Sequence, residues 1–201
     1  MSVSRESSLA LLLLVTNIEG VDRWQRTHEA LRQAGLTLFA EHGFDGIGTA
    51  RIAEHAGVSE MTLFRHFPTK EALLLDDPFD PQIAEAVRIR PRSEPPMQAV
   101  TEGIRHAWNS VGTPDVEALR TRLRIIAEAA ALKGAIERRS AETVEAIVDA
   151  LVQREANIAS ARVAAAAVIA GLSAALLGWA GDDRADLDAA VNDALNVLGG
   201  R

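Results

Sequence analysis

The sequence predicts an all-α protein with a helix-turn-helix segment near its N-terminus and a longer helical half behind it. Three observations carry this reading. Apolar residues recur at three- and four-residue spacing along most of the chain, and no segment alternates in the manner of a strand. All seven prolines fall between Pro68 and Pro114, so the stretches before and after can run as uninterrupted helices. Residues 49 to 75 carry two brief helical patterns joined by Ala56-Gly57-Val58-Ser59, a tight turn followed by a new helix cap.

Residues 1–22 read as an N-terminal arm. Leu9 to Val15 is an apolar run behind Arg5, too short to span a bilayer and lacking a clear small-residue cleavage site. A helix packed on its own or a partner subunit is therefore expected there. The next unit, residues 23–76, opens with a helix bracketed by Trp24 and Gly43, with Ala30, Leu31, Ala34, Leu38 and Phe39 inward and His42-Gly43 as its C-terminal cap. Gly43 to Gly48 has the wrong glycine order for a dinucleotide loop and no strand before it, so it reads as a turn. Thr49 sits where an N-cap hydroxyl would satisfy the free amides of a helix carrying Ile52, Ala53 and Ala56. Gly57 ends that helix, and Ser59 caps the next one, Glu60 to Phe67. Leu63 and Phe67 then point inward, leaving Glu60, Met61, Thr62, Arg65 and His66 to face a groove.

The remainder, residues 77–201, reads as a second helical domain. Asp77-Pro78-Phe79-Asp80-Pro81 interrupts the chain, and Pro81 opens a short helix with Ile83, Val87 and Ile89 before Pro91. After the loop Pro91 to Pro96, Met97, Val100, Ile104, Trp108 and Val111 form a stripe ended by Gly112-Thr113-Pro114. A helix from Asp115 carries Val116, Leu119, Leu123, Ile126 and Ala130 inward, and another from about Ile136 carries Val144, Ile147, Val148 and Leu151, with Gly134 expected to separate the two. The last two helices run from Ser160 to Ala180 and from Asp186 to Leu198. Their small residues would admit another helix backbone at close range, so Val163, Ala167, Ala170, Gly171, Ala174, Gly178, Leu187, Val191 and Leu195 are the expected dimer interface.

The order Leu38-Phe39-Ala40-Glu41-His42-Gly43-Phe44, Thr49, Ile52-Ala53, Ala56-Gly57-Val58-Ser59, Leu63-Phe64, His66-Phe67, Lys70-Glu71 and Leu73 resembles the N-terminal domain of the tetracycline-repressor (TetR) family. The resemblance covers about a quarter of the chain. It implies a homodimeric regulator that binds a double-stranded DNA operator and answers to a small-molecule effector through its C-terminal domain. It assigns Thr49, Phe64, His66 and Lys70 mainly to phosphate and Glu60, Met61, Thr62 and Arg65 to bases, with Ser59 at the head of the reading helix. Where the family commonly has a tyrosine hydroxyl for a phosphate, this chain has Phe64. Glu60 repels phosphate yet can accept from a cytosine amino group, Met61 can touch a thymine methyl, and Arg65 can pair with guanine. As such helices do in the family, Ile104, Trp108, Leu123, Ile126, Ile147 and Leu151 could line an effector cavity, whereas Arg105, His106, Arg120 and Arg124 are expected to be solvated.

Composition narrows the alternatives. With 48% apolar and 24% charged residues the chain is of ordinary globular make-up, and the absence of cysteine removes disulfides and thiolate zinc sites, as fits a reducing cytoplasm. The five histidines lie at no metal-ligand spacing, and no nucleophile elbow or carboxylate pair is present, so neither a metal, a cofactor nor enzymatic activity is expected. The formal charge is −7, and residues 1–78 hold seven Lys and Arg against eleven Asp and Glu. That acidity, together with Glu60 and Phe64, motivates the rival reading: a helical small-molecule-binding or interaction protein of the same fold that reads no DNA.

Overall fold

The computed structural model describes residues 6–76, 80–110 and 115–200, with side chains for 23–76, 82–110 and 115–200. Among them are ten α-helices and no strand. The chain divides into two compact units, Met1–Leu74 and Leu75–Arg201. The expected stops at 77–79 and at Gly112-Thr113-Pro114, and the inward placing of Val111, lie outside the described residues.

The first unit holds α1 (Glu6–His42), α2 (Thr49–His55), α3 (Glu60–His66) and the start of α4 (Ala72–Leu75). Helix α1 begins well before Trp24, because no proline interrupts it and the lone Gly20 costs only about 1 kcal/mol. Leu31, Ala34, Leu38 and Phe39 are buried at helical spacing as expected, whereas Ala30 is exposed. Gly43 ends the helix with φ +76° and its N–H donates to the Phe39 carbonyl at 2.9 Å. Phe44 and Ile47 in the following turn are both buried. Ile52 and Ala53 fix α2 to this core, and α2 closes in a Schellman arrangement. The Gly57 N–H reaches the Glu54 carbonyl at 3.0 Å and the Val58 N–H the Ala53 carbonyl at 2.9 Å. Gly57 makes that possible at φ +70°, where a side chain would be strained.

The second unit comprises α5 (Asp80–Arg88), α6 (Pro96–Ser110), α7 (Val116–Glu128), a 3₁₀ turn (Ala130–Leu132), α8 (Lys133–Gln153), α9 (Ile158–Gly181) and α10 (Leu187–Gly199). Side-chain caps from Asp115, Asn157 and Asp186 open α7, α9 and α10. Helix α5 packs on α6 and α8, while α9 lies against α6, α7, α8 and α10. Gly103 lets α5 and α6 touch: a Cβ there would stand 2.8 Å from Val87 Cγ2. The core is made by Val87, Val100, Ile104, Ile147, Leu151 and Val168, all at most 1% exposed, each side chain contributing about 1.5–3 kcal/mol by leaving water.

Gly134 does not separate α7 from α8. It lies inside α8, and the break falls at Ala129 (φ −82°, ψ 94°), after which Ala130 is exposed rather than inward. Ile89, too, is exposed at the end of α5. Arg154, 7% exposed, closes the loop between α5 and α6 by donating to the carbonyls of Arg90 (3.2 Å), Pro91 (2.5 Å) and Glu94 (3.4 Å). Helix α9 is long and apolar enough to cross a bilayer by length and composition. Its Ala161, Ala164, Ala165 and Val168 side is buried in the core.

Candidate nucleic-acid interface

Helix α3 is short, about 10 Å long by its residue count, and its geometry follows from three anchors. Ser59 Oγ accepts from the Thr62 N–H at 3.2 Å and lies 2.9 Å from the Thr62 hydroxyl, fixing the first turn. Leu63 and Phe67 are fully buried, so the opposite face must look outward. On that face Met61 is 68% and Phe64 46% exposed, beside the exposed Glu60 and Arg65, with Thr62 half-buried. The Arg65 guanidinium lies 3.9 Å from the Met61 sulfur.

Thr49 is not the N-cap of α2. Gly48 occupies that position without a side-chain bond, and Thr49 is the first helical residue, its hydroxyl donating to Glu60 Oε1 at 2.5 Å. Thr49 cannot cap because it already lies inside the helix, one residue beyond the N-cap position, and its hydroxyl hydrogen goes to the Glu60 carboxylate. Lys70 folds back so that Nζ stands 4.1 Å from the centre of the Phe44 ring and 5.7 Å from that of Phe39. It is therefore a cation over an aromatic pair as well as a charge near the reading helix.

His66 stacks on Trp24 at 4.7 Å between ring centres and is tilted against His28 at 5.7 Å, while Trp24 and His28 stack at 4.8 Å and His28 on Phe67 at 4.1 Å. Its Nδ1 is buried without a hydrogen-bond partner. Burial holds the His66 pKa below the usual histidine value. Arg23, Trp24, Thr27, Val58, Ser59, Thr62 and His66 line an open groove of about 410 Å³. The α1 part of this cluster was missed from sequence, although Trp24 and His28, one turn apart, were the available signal.

In the second unit Ile104, Ile147 and Leu151 are core residues, and Trp108 and Leu123 are half-buried against them. Trp108 Nε1 donates to Asp188 Oδ1 at 2.9 Å. Ile126 is half-buried, and its neighbour Ile125 is the buried residue of that turn. The arginines expected in solvent are engaged instead. Arg120, 6% exposed, donates to the carbonyls of Trp179 (2.8 Å), Asp182 (2.6 Å) and Ala185 (3.3 Å), and Arg124 donates to the Ala180 carbonyl (2.7 Å) and Asp183 (2.5 Å). Arg105 bridges Asn192 (2.6 Å) and Asn196 (2.9 Å). His106 alone of the four is exposed.

The expected dimer residues fall into two sets. Val163 is 66% exposed, Ala170, Ala174 and Gly178 are exposed, and Ala167 is half-buried, all along one side of α9. Leu187, Val191 and Leu195 are instead buried in the protomer's own core at 5%, 2% and 1%, so they cannot meet a partner. Gly171 is half-buried beside Leu198 of the same chain, whose Cδ1 would stand 3.0 Å from a Cβ added there.

Comparison with known proteins places these features. Residues 31–76 match the description "Bacterial regulatory proteins, tetR family", and residues 94–201, more than half of the chain, match "MftR C-terminal domain". The HTH-type transcriptional regulator TcmR of Streptomyces glaucescens is 32% identical over 95 residues, 46% of this chain and 42% of TcmR. The regulatory protein RaaS of Mycobacterium tuberculosis is 46% identical over 46 residues, 23% of this chain and 21% of RaaS. The chain thus spans under half the length of these relatives. In fold it is similar to a TetR-family regulator from Streptomyces coelicolor (TM-score 0.52, 22% identity, 88% of this chain and 94% of that one). It is equally similar to NalD, the secondary repressor of the MexAB-OprM multidrug efflux pump in Pseudomonas aeruginosa (TM-score 0.52, 22% identity, 88% and 95%). These relatives are transcriptional regulators rather than enzymes, and the helix-turn-helix unit followed by a helical domain is theirs: the chain belongs to the TetR family of bacterial transcriptional regulators.

Proposed function

We propose that this DNA-binding regulator is a cytoplasmic repressor that binds a pseudo-palindromic operator as a homodimer and is released by a small apolar or amphipathic effector. The observation that carries the reading is the outward face of α3. Met61 and Phe64 hold 68% and 46% of their surface in water between Glu60 and Arg65, on a helix whose other side is fully buried. The exposed Met61 between opposite charges suits a thymine methyl and base edges in a major groove, which admits one helix. Glu60, Met61, Thr62 and Arg65 are the base readers of this proposal, with His66, Lys70 and Ser59 nearer the phosphates.

Dimerisation is supported by the exposed side of α9, where Val163, Ala170, Ala174 and Leu177 would otherwise face water. A second copy is the occupant that a two-fold operator requires. Repression is then the default output, because a dimer seated on two half-sites excludes other proteins from that DNA. Helix α7 makes its close backbone approach to α9, and Trp108, Leu123 and Ile126 remain half-buried. That is where an apolar effector can insert beside Ile104, Ile147 and Leu151. It would release DNA by favouring a conformation with wrongly spaced reading heads, in proportion to its differential affinity for that conformation. Selection of genomic fragments by the purified protein tests the proposal. A recovered two-fold sequence, bound by dimers, supports it; sequence-indifferent binding overturns it in favour of a ligand-binding protein that reads no DNA.

A further inference from the structure

We infer that Thr49 is a positioning residue for base reading. Its hydroxyl holds the Glu60 carboxylate at the start of α3 as an acceptor for an exocyclic amino group of a base, and is not spent on a phosphate. The inference rests on α3 facing DNA, as proposed above. A threonine hydroxyl has one hydrogen to give. Here it is given to Glu60 Oε1 at 2.5 Å, across eleven residues and from the first turn of α2 to the first turn of α3. Phosphate oxygens only accept, so a hydroxyl already donating to a carboxylate has nothing to offer them.

Glu60 keeps Oε2 free, and an ionised carboxylate accepts only. In the major groove it is matched by cytosine N4 and adenine N6, and repelled by the N7 and O6 of guanine and the O4 of thymine. Both ends of the tether are fixed. Thr49 sits on a helix anchored by the buried Ile52 and Ala53, and Glu60 follows a Ser59 cap bonded to Thr62. The glutamate therefore gives up its rotamer freedom before DNA arrives, which is the condition for sharp discrimination. The same carboxylate repels the phosphates of any duplex, a penalty offset only where an amino group meets it. Glu60 thereby lowers non-specific binding as it sharpens specific binding.

The test is a double-mutant cycle on the selected operator, on single-base variants of it and on an arbitrary duplex. The proteins are wild type, Thr49→Val, Thr49→Ser, Glu60→Ala and the Thr49→Val/Glu60→Ala double variant, each first shown to melt as wild type does. Thr49→Val is expected to lose about fivefold of discrimination at one base-pair position, the one Glu60→Ala also relaxes, with little change on arbitrary duplex. Thr49→Ser retains the discrimination, and in the Glu60→Ala background Thr49→Val has no further effect. Equal weakening of operator and arbitrary duplex by Thr49→Val, persisting without Glu60, would make Thr49 a phosphate contact and overturn the inference while leaving the regulator reading intact. A wild-type protein with no sequence preference removes both.

Discussion

Replacing Arg120 tests whether the second unit is held at one end by a single buried cation. The guanidinium is 6% exposed, donates to three carbonyls at 2.6, 2.8 and 3.3 Å, and stands 4.1 Å over the Trp179 ring. Trp179 and Asp182 lie at the C-terminal end of α9, where carbonyls that lack the next helical turn and the helix dipole favour a cation. Hydrogen bonds to a charged donor contribute about 1.5–3 kcal/mol each. The third bond is long, and the desolvation of the guanidinium offsets part of the gain. Counting the two short bonds at the low end gives about 3 kcal/mol for Arg120→Ala, a fall in Tm of roughly 6–12 °C for a chain of this size. Arg120→Met fills most of the volume without a donor and should recover only a minor part of the loss. Arg120→Lys, a point donor that cannot fork between Trp179 and Asp182, should fall between wild type and alanine. Urea denaturation at fixed protein concentration reads all three, because dimer formation would otherwise shift the midpoint. A change under about 0.5 kcal/mol for Arg120→Ala, the size of an ordinary surface substitution, would refute the reasoning.

Ala170→Arg places a charge on the exposed side of α9 and should convert dimers to monomers by sedimentation and abolish tight operator binding, with the helical content unchanged; Gly171→Arg should in addition lower the thermal midpoint, since it must displace the Leu198 side chain of its own chain. Arg65→Ala should weaken specific binding by about 1–3 kcal/mol and relax preference at one base pair in a gel-shift series. Lys70→Ala should weaken all sequences alike, make the salt slope of log K shallower by about one unit, and also lower stability, because Nζ covers the Phe44 ring. His66 is held below its unfolded pKa by burial, so its contribution to stability is full above about pH 6.5 and declines as pH falls through the folded value. The difference in thermal midpoint between wild type and His66→Gln should therefore shrink from pH 7.5 to pH 5.5, and a constant difference would count against this.

The turn chemistry of the reading head was legible because it depends on neighbours in sequence. Gly57 at positive φ, the Ser59 cap and the burial of Leu63 and Phe67 all follow from spacing within one short segment. Thr49 differs from its expected role as a cap because the helix begins one residue earlier than the spacing predicts, with Gly48 as its N-cap, and the partner of its hydroxyl lies eleven residues on, beyond the reach of a local pattern. Leu187, Val191 and Leu195 were recognised as one apolar stripe, yet periodicity does not say which of two apolar surfaces a stripe meets. The engagement of Arg120 and Arg124 is invisible to a local pattern, because the carbonyls that collect them belong to a helix end some sixty residues away. Gly134 misled for a simpler reason: one glycine is a small cost that the packing of a 21-residue helix absorbs.

The alanine-rich α9 has a consequence for how this chain can change over time. On one side Ala161, Ala164 and Ala165 are buried in the core, and on the other Ala166, Ala170 and Ala174 face outward with equally small side chains. A larger residue on the core side has only buried neighbours to displace, whereas one on the outward side meets water. Changes in the proposed effector preference should thus accumulate on α6, α7 and α8, where half-buried positions such as Trp108 and Leu123 can vary singly. The core side of helix α9 would drift through paired exchanges in which one residue grows as its neighbour shrinks.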